Sequence, residues 1–289
     1  MKKIALLGVE NSHAKTFLQF HQQGRFPEVE VYGVYSEDIE ACKKLNDEFG
    51  VKIMETLDEA VGKVDGVIIT ARHGAKHYAY AKPYIATCKA MFIDKPITID
   101  EDEAVAFMRE LKEAGVRING GSALQYIDFV KEIKDDHAAA PEETIGGLFR
   151  APILLGNPNG GFFFYAQHLA QLVMTVFGNY PKSVSAHLKN DCINVVFHYD
   201  NFNINGIYSS DNFYQAGRFV KNGAKIQQLE VRGDSECFFT EFEVFYDILL
   251  GKKEQEQSYK DFIAPVFVLN AINRAMQSGK QEPVMEYDV

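Results

Sequence analysis

No stretch of the chain narrows the choice of fold more than residues 66–96, GVIITARHGAKHYAYAKPYIATCKAMFIDKP. Residues 66–70 form a short apolar, β-branched run, as expected of a strand buried on both faces. A polar break follows, then helical length and pattern over 76–89. A second apolar run, 90–93, is closed by Asp94-Lys95-Pro96. Strand, crossover helix and strand in this order read as a parallel unit. A lysine where a buried parallel strand ends faces the crevice in which open α/β sheets bind ligands. Lys95 is therefore either a surface lysine at a strand end or a general acid/base with Asp94 beside it. The second role requires burial or positive neighbours to bring its pKa toward neutrality.

The same rhythm runs through the first part of the chain. Strands are expected at 4–8, 29–35, 51–54, 66–70, 90–93 and 116–121. Helices are expected at 12–23, 37–49, 57–61, 76–89 and 100–114, with Asn11 or Ser12 capping the first and Gly50 ending the second. Six alternating strands predict a doubly wound parallel sheet. Past residue 121 the rhythm changes. Helices are expected at 125–136 and 162–177, strands at 146–155, 182–188, 193–199, 203–209 and 226–232, and closing helices at 236–250 and 258–278. Asp200-Asn201 signals a hairpin. The expectation is a Rossmann domain over residues 1–121, then an α+β domain over 122–289 with a large, mostly antiparallel open sheet.

At 289 residues the chain has room for two domains, and its apolar content of 46% is ordinary for a soluble globular protein. A net charge of −10 without any basic run argues against a nucleic-acid or anionic-membrane partner. No apolar stretch approaches the roughly 18 residues of a membrane span, and MKKIALLGVE reads as a first strand rather than a signal peptide. Cys42, Cys88, Cys192 and Cys237 are widely spaced, which suits reduced thiols in a cytoplasm.

Gly8-Val9-Glu10-Asn11-Ser12-His13 stands where a dinucleotide fold places G-x-G-x-x-G. Gly8 suits the tight turn, but Glu10 occupies the second-glycine place, where bare backbone normally meets a pyrophosphate. The segment is either a cofactor loop, aided by the helix N-terminus and His13, or an ordinary strand–turn–helix. Ser36 follows the second strand, where an acid would take the ribose hydroxyls. It can accept a hydroxyl or a 2′-phosphate, or merely cap a helix. With no arginine following and Glu37 and Asp38 next to it, the balance leans to NAD over NADP. His73 and His77 are four apart and would share a helix face, but no third ligand has matching spacing, so no metal is expected. His77 is placed instead in a cofactor crevice. His168 lies on the apolar helix 162–177, either as a core histidine or, with Gln167 and Gln171, on a polar step facing a crevice between domains.

Together these segments resemble the Gfo/Idh/MocA oxidoreductases, the family of glucose–fructose oxidoreductase and inositol dehydrogenase. Thr70-Ala71-Arg72-His73 with His77 is similar to the family's T-P-x-x-x-H segment, and Asp94-Lys95-Pro96 to its E-K-P. Gly160-Gly161 and the helix carrying His168 resemble its G-G…D-x-G-x-H helix. The resemblance implies NAD- or NADP-linked hydride transfer on a hydroxyl or carbonyl of a sugar, polyol or related small molecule. It implies Lys95 and His168 as the acid/base pair. Gly8, Glu10, Asn11, Ser12, His13, Ser36, Thr70, His73, His77 and Asp94 are then expected around the cofactor. A homo-oligomer, dimer or tetramer, is expected through the C-terminal sheet. This chain departs from the family at Glu10, Ser36, Asp94 and Ala166, and at Phe164, which replaces an aspartate. Gly121-Ser122-Ala123-Leu124 also lacks the polar residues common after the last Rossmann strand. These departures define the competing expectation of a regulator on the same fold that binds a ligand or nucleotide without turnover.

Overall fold

The computed structural model describes residues 1–233 and 235–289. The first part of the chain runs β1 (Lys2–Leu7), α1 (Ser12–Gln22), β2 (Val29–Tyr35), α2 (Ile39–Phe49), β3 (Gly66–Ile69), α3 (His77–Ala81), β4 (Ala90–Asp94), α4 (Glu101–Glu113) and β5 (Arg117–Gly121). All neighbours pair in parallel, in the order β2-β1-β3-β4-β5. Caps explain the helix starts. The side chains of Asn11, Asp38 and Asp100 accept from His13 N, Ala41 N and Glu103 N, satisfying first-turn N–H groups that lack helical partners.

Alternation along the strands sorts the two faces. Ile4, Leu6, Ile68 and Phe92 join Phe17 of α1 on one side, and Ala5, Leu7, Val67 and Ile93 join Phe107 of α4 on the other. Truncating one of these fully buried phenylalanines to alanine costs about 3–5 kcal/mol.

The second part runs α5 (Asp128–Ala139), β6 (Thr144–Pro152), α6 (Phe163–Phe177), β7 (Ser183–Lys189), β8 (Cys192–His198), β9 (Asn203–Ser209), β10 (Tyr214–Val220), β11 (Gly223–Leu229), α7 (Glu236–Leu250), α8 (Tyr259–Ser278) and β12 (Glu282–Pro283). Its sheet has the order β11-β10-β6-β9-β8-β7-β12, and every pair is antiparallel except β6 with β9. One face packs on α6, burying Phe149, Phe197 and Tyr208 among Leu169, Leu172 and Val173. Two late helices return to the first sheet. Phe242 and Phe245 of α7 pack beside Phe17 and Phe92, and Phe262 and Phe267 of α8 join the opposite face.

Several local expectations give way. Residues 51–54 make one parallel bridge, Val34 to Ile53, so the first sheet has five strands rather than six. The segment is squeezed between the left-handed Gly50 and the Glu55 turn, and it offers only the two backbone bonds that flank Val34. Residues 57–61 form successive turns, because so short a run cannot offset the cost of helix nucleation. The helix expected over 76–89 is broken: α3 ends at Ala81 and a 3-10 turn follows around Pro83, which has no N–H to donate. The helix expected at 125–136 begins instead as a 3-10 turn, Ala123–Tyr126, and restarts after the extended Ile127. The sequence reading overlooks β10 and the short β12, and β11 lies three residues earlier than expected. The β10–β11 hairpin is tight, turning through Lys221-Asn222 with Val220 paired to Gly223.

Among the described residues, no helix is long and apolar enough to cross a membrane. All four cysteines are free.

Candidate active site

The candidate site lies where the strands of the parallel sheet end. The strand order reverses between β1 and β3, and a crevice opens at such a point in doubly wound sheets. Gly8 makes the turn out of β1 with φ +74°, and a Cβ there would lie 2.5 Å from Ala71 backbone atoms. Glycine is therefore required by both conformation and space. Thr70 Oγ1 donates to Gly8 O at 3.1 Å, which ties the ends of β3 and β1 together.

Asp94 ends β4 and is fully buried. It accepts from His13 Nδ1 at 2.8 Å, from Asn11 Nδ2 at 3.1 Å and from Lys95 N at 2.7 Å. Burial opposes ionisation of this carboxyl. The His13 ring, with its charge and hydrogen bond, and the charge of Lys95 override burial and hold it below the usual aspartate value. The first turn of α1 is thus clamped to β4 through one carboxylate.

Lys95 follows, 5% exposed. Its Nζ lies 4.9 Å from the ring centres of both Phe164 and Tyr165 on α6. Aromatic faces attract an ammonium without accepting its proton as a carboxylate would. Burial pushes the ammonium below the usual lysine value. Asp94 opposes that shift and Arg72 reinforces it.

His168, in the second turn of α6, is 6% exposed and places Nδ1 2.7 Å from Ser122 Oγ. Burial, and then the charge of Lys95, push it well below the ordinary histidine value, so the neutral ring is favoured. Its Nε2 has no protein partner among the described residues. Two glutamines seat the helix. Gln167 Oε1 accepts from Ile97 N at 3.1 Å, and Gln171 Oε1 accepts from Ser122 N at 2.9 Å and from Gln167 Nε2 at 2.9 Å. Lys95, His168, His13 and Arg72 open onto one cavity of about 210 Å³. Phe164, Tyr165, Tyr214 and Phe238 supply its apolar wall, and no carboxylate lines it among the described residues. A wider groove of about 560 Å³ lies between Tyr126, Leu229 and Thr240 and contains neither Lys95 nor His168.

Residues 2–121 match the family model described as an oxidoreductase family with an NAD-binding Rossmann fold, Gfo/Idh/MocA. The match covers the parallel-sheet part of the chain, 120 of its 289 residues. Solved structures extend the likeness of fold over nearly the whole chain. GenD2 from gentamicin A biosynthesis, in complex with NAD, is 17% identical, with a TM-score of 0.84 over 100% of this chain and 97% of that one. A myo-inositol dehydrogenase from Corynebacterium glutamicum is 15% identical, with a TM-score of 0.78 over 99% and 100%. The scyllo-inositol dehydrogenase from Lactobacillus casei, with bound NAD(H) and scyllo-inositol, is 13% identical, with a TM-score of 0.82 over 98% and 99%. At these identities the likeness establishes the fold. No curated protein matches the chain by sequence.

The departures from the family pattern now have locations. Phe164 puts a ring against Lys95 at the place where the resemblance leads one to expect an aspartate. Glu10 folds across the loop ends: its Oε2 accepts from Ser36 Oγ at 2.6 Å and its Oε1 from Arg72 N at 3.1 Å. Ser36 is buried and also accepts from Asp38 N, while the cap of α2 is Asp38 itself. Ser12 opens α1 at the surface. His73 accepts from Ala75 N and places its ring beside Gly160 of the second half.

His77 corrects its sequence reading. It is fully buried, with Nε2 2.8 Å from Ala71 O and Nδ1 3.2 Å from Ile97 O. Both ring nitrogens face backbone carbonyls, and a neutral ring donates to one of them, so His77 braces the crevice wall from behind. Ser122 corrects another. The segment after β5 does carry a polar residue, and that residue holds His168. Sequence reasoning also overlooks Tyr214 and Glu241. The last is a fully buried carboxyl on α7 with both oxygens unpartnered among the described residues; burial, and then Asp94, raise it well above the usual value.

Proposed function

We propose that this chain is an NAD(P)-dependent oxidoreductase acting on a hydroxyl or carbonyl carbon of a sugar, polyol or related small molecule. The observation that carries the reading is the convergence of Lys95 and His168 on one cavity at the strand ends, each with its pKa pushed down by burial. In this reading residues 1–121 hold the cofactor and residues 122–289 complete the substrate site. Gly8 and the N-terminus of α1 fit a pyrophosphate, because the bare turn and the first-turn N–H groups other than that of His13, which Asn11 caps, suit an anion. The bound nicotinamide supplies hydride acceptance or return at the substrate carbon.

The protein's own groups handle the proton. Oxidation of an alcohol releases one hydride from carbon and one proton from oxygen. Lys95, as the free amine, takes that proton from the hydroxyl and returns it in the reverse direction. His168 Nε2 holds the same oxygen, with Ser122 fixing the ring through Nδ1. Asp94 keeps Lys95 and the start of α1 in register. Phe164, Tyr165 and Tyr214 exclude water and favour a substrate with an apolar face, less polar than a hexose.

A second reading, a ligand- or nucleotide-binding regulator without turnover, is favoured by Phe164 at an acid's place. Incubation with sugars, polyols and aromatic diols, each with NAD and with NADP, distinguishes the two. Growth of reduced-nicotinamide absorbance supports the enzyme; cofactor binding without turnover across the panel supports the regulator. A dimer or tetramer is placed on the outward face of the second sheet, where Leu148, Val196, Ile207 and Phe219 remain partly exposed. Light scattering of the wild type against Ile207→Glu tests it. Four free thiols suit a reducing cytoplasm.

A further inference from the structure

In nucleotide-binding sheets of this type, a carboxylate after the second strand takes the ribose hydroxyls. Here that place is Ser36, directly after β2, buried and with its hydroxyl committed. It donates to Glu10 and accepts from Asp38 N. The carboxylate comes instead from the turn after β1. Glu10 reaches across with Oε2 on Ser36 Oγ at 2.6 Å and Oε1 on Arg72 N at 3.1 Å. One side chain thereby joins the ends of β1, β2 and β3, at the edge of the crevice where the strand order reverses. Each carboxylate oxygen accepts more than one hydrogen bond, and Glu10 is only half-buried, so acceptor capacity remains toward solvent.

We propose that Glu10 is the ribose-recognising acid of this chain, displaced from β2 to the loop after β1. It makes the site select a dinucleotide with a free 2′-hydroxyl over one with a 2′-phosphate. The nearby cations do not reverse that selection. Lys76 is paired with Glu37 at 2.6 Å, and the Arg72 side chain lines the Lys95 cavity rather than the β2 edge. Glu37 and Asp38 add further negative charge after Ser36. The inference rests on the proposed cofactor role and specifies it: a carboxylate in a loop that ordinarily carries glycine becomes a selectivity device rather than an obstacle.

The test is equilibrium binding of NADH and NADPH to the full chain, read by dihydronicotinamide fluorescence. The chain has no tryptophan to interfere. The wild type is expected to bind NADH at least about tenfold tighter than NADPH, the usual worth of hydrogen bonds to a charged partner. Glu10→Gln should weaken NADH about tenfold and bring the two affinities together. The double variant Glu10→Ala/Ser36→Asp, which returns the acid to the end of β2, should recover the preference for NADH. An unchanged NADH/NADPH ratio in Glu10→Gln, a wild-type preference for NADPH, or no recovery in the folded double variant overturns the inference and leaves the oxidoreductase reading standing. Failure of the wild type to bind either cofactor overturns both.

Discussion

Asp94→Asn separates the two tasks assigned to this carboxylate, and each has its own readout. Asp94 is fully buried and receives three hydrogen bonds, from His13 Nδ1, Asn11 Nδ2 and Lys95 N. Asparagine keeps the shape, removes the charge and turns an NH₂ toward groups that are themselves donors. Breaking a buried ionic contact by removing one partner costs about 3–5 kcal/mol. Unfolding entropy near 2.1 cal/mol/K per residue over 289 residues converts that into a fall in Tm of about 5–8 °C by calorimetry. The charge also holds Lys95 up against burial and Arg72. Without it, Lys95 loses its proton more readily. Oxidation requires the free amine, so its rate rises as pH rises through the Lys95 pKa. In Asp94→Asn the acidic limb of kcat/KM must therefore move to lower pH. A limb that stays in place or moves up, with Tm preserved, would refute the assignment of Asp94 as the counter-charge.

Phe164→Asp makes the opposite change on the α6 side of the ammonium, 4.9 Å from the ring it replaces; its acidic limb is expected to move to higher pH, read by the same profile. Ser122→Ala leaves His168 Nδ1 without its 2.7 Å partner and should lower kcat/KM by about 2–10-fold, the worth of one neutral hydrogen bond, with NADH affinity unchanged by titration. Stability should fall as pH drops below 6.5. Burial pushes His21 down to about 4 and lowers His77 and His168 as well, so the unfolded chain takes up protons that the folded chain refuses. Calorimetry between pH 7 and pH 5 should show Tm declining steadily, and a flat Tm would contradict neutral buried rings.

The parts of the site carried by local sequence were legible. Lys95 announced itself because a buried apolar run stops at a charge. His168 did so because Gln167 and Gln171 interrupt an apolar helix, and those two glutamines indeed bind the backbones of Ile97 and Ser122. The two-sheet architecture followed from the change of rhythm after Gly121. What was not legible depended on chain segments far apart. Glu10, Ser36 and Arg72 meet only because β1, β2 and β3 end side by side. His77 looked like a crevice residue until the fold set two carbonyls against its ring. Residues 51–54 have strand composition but lie at an edge too short for a ladder, a tertiary limit that propensity does not contain.

The central claim is that Lys95 transfers the proton that accompanies hydride transfer. The direct measurement is the pre-steady-state rate of nicotinamide reduction in Lys95→Met against the wild type, with NADH affinity measured on the same samples. The account predicts a rate lowered by about 10²–10⁴-fold at nearly unchanged cofactor affinity. An equal rate in the variant would contradict it.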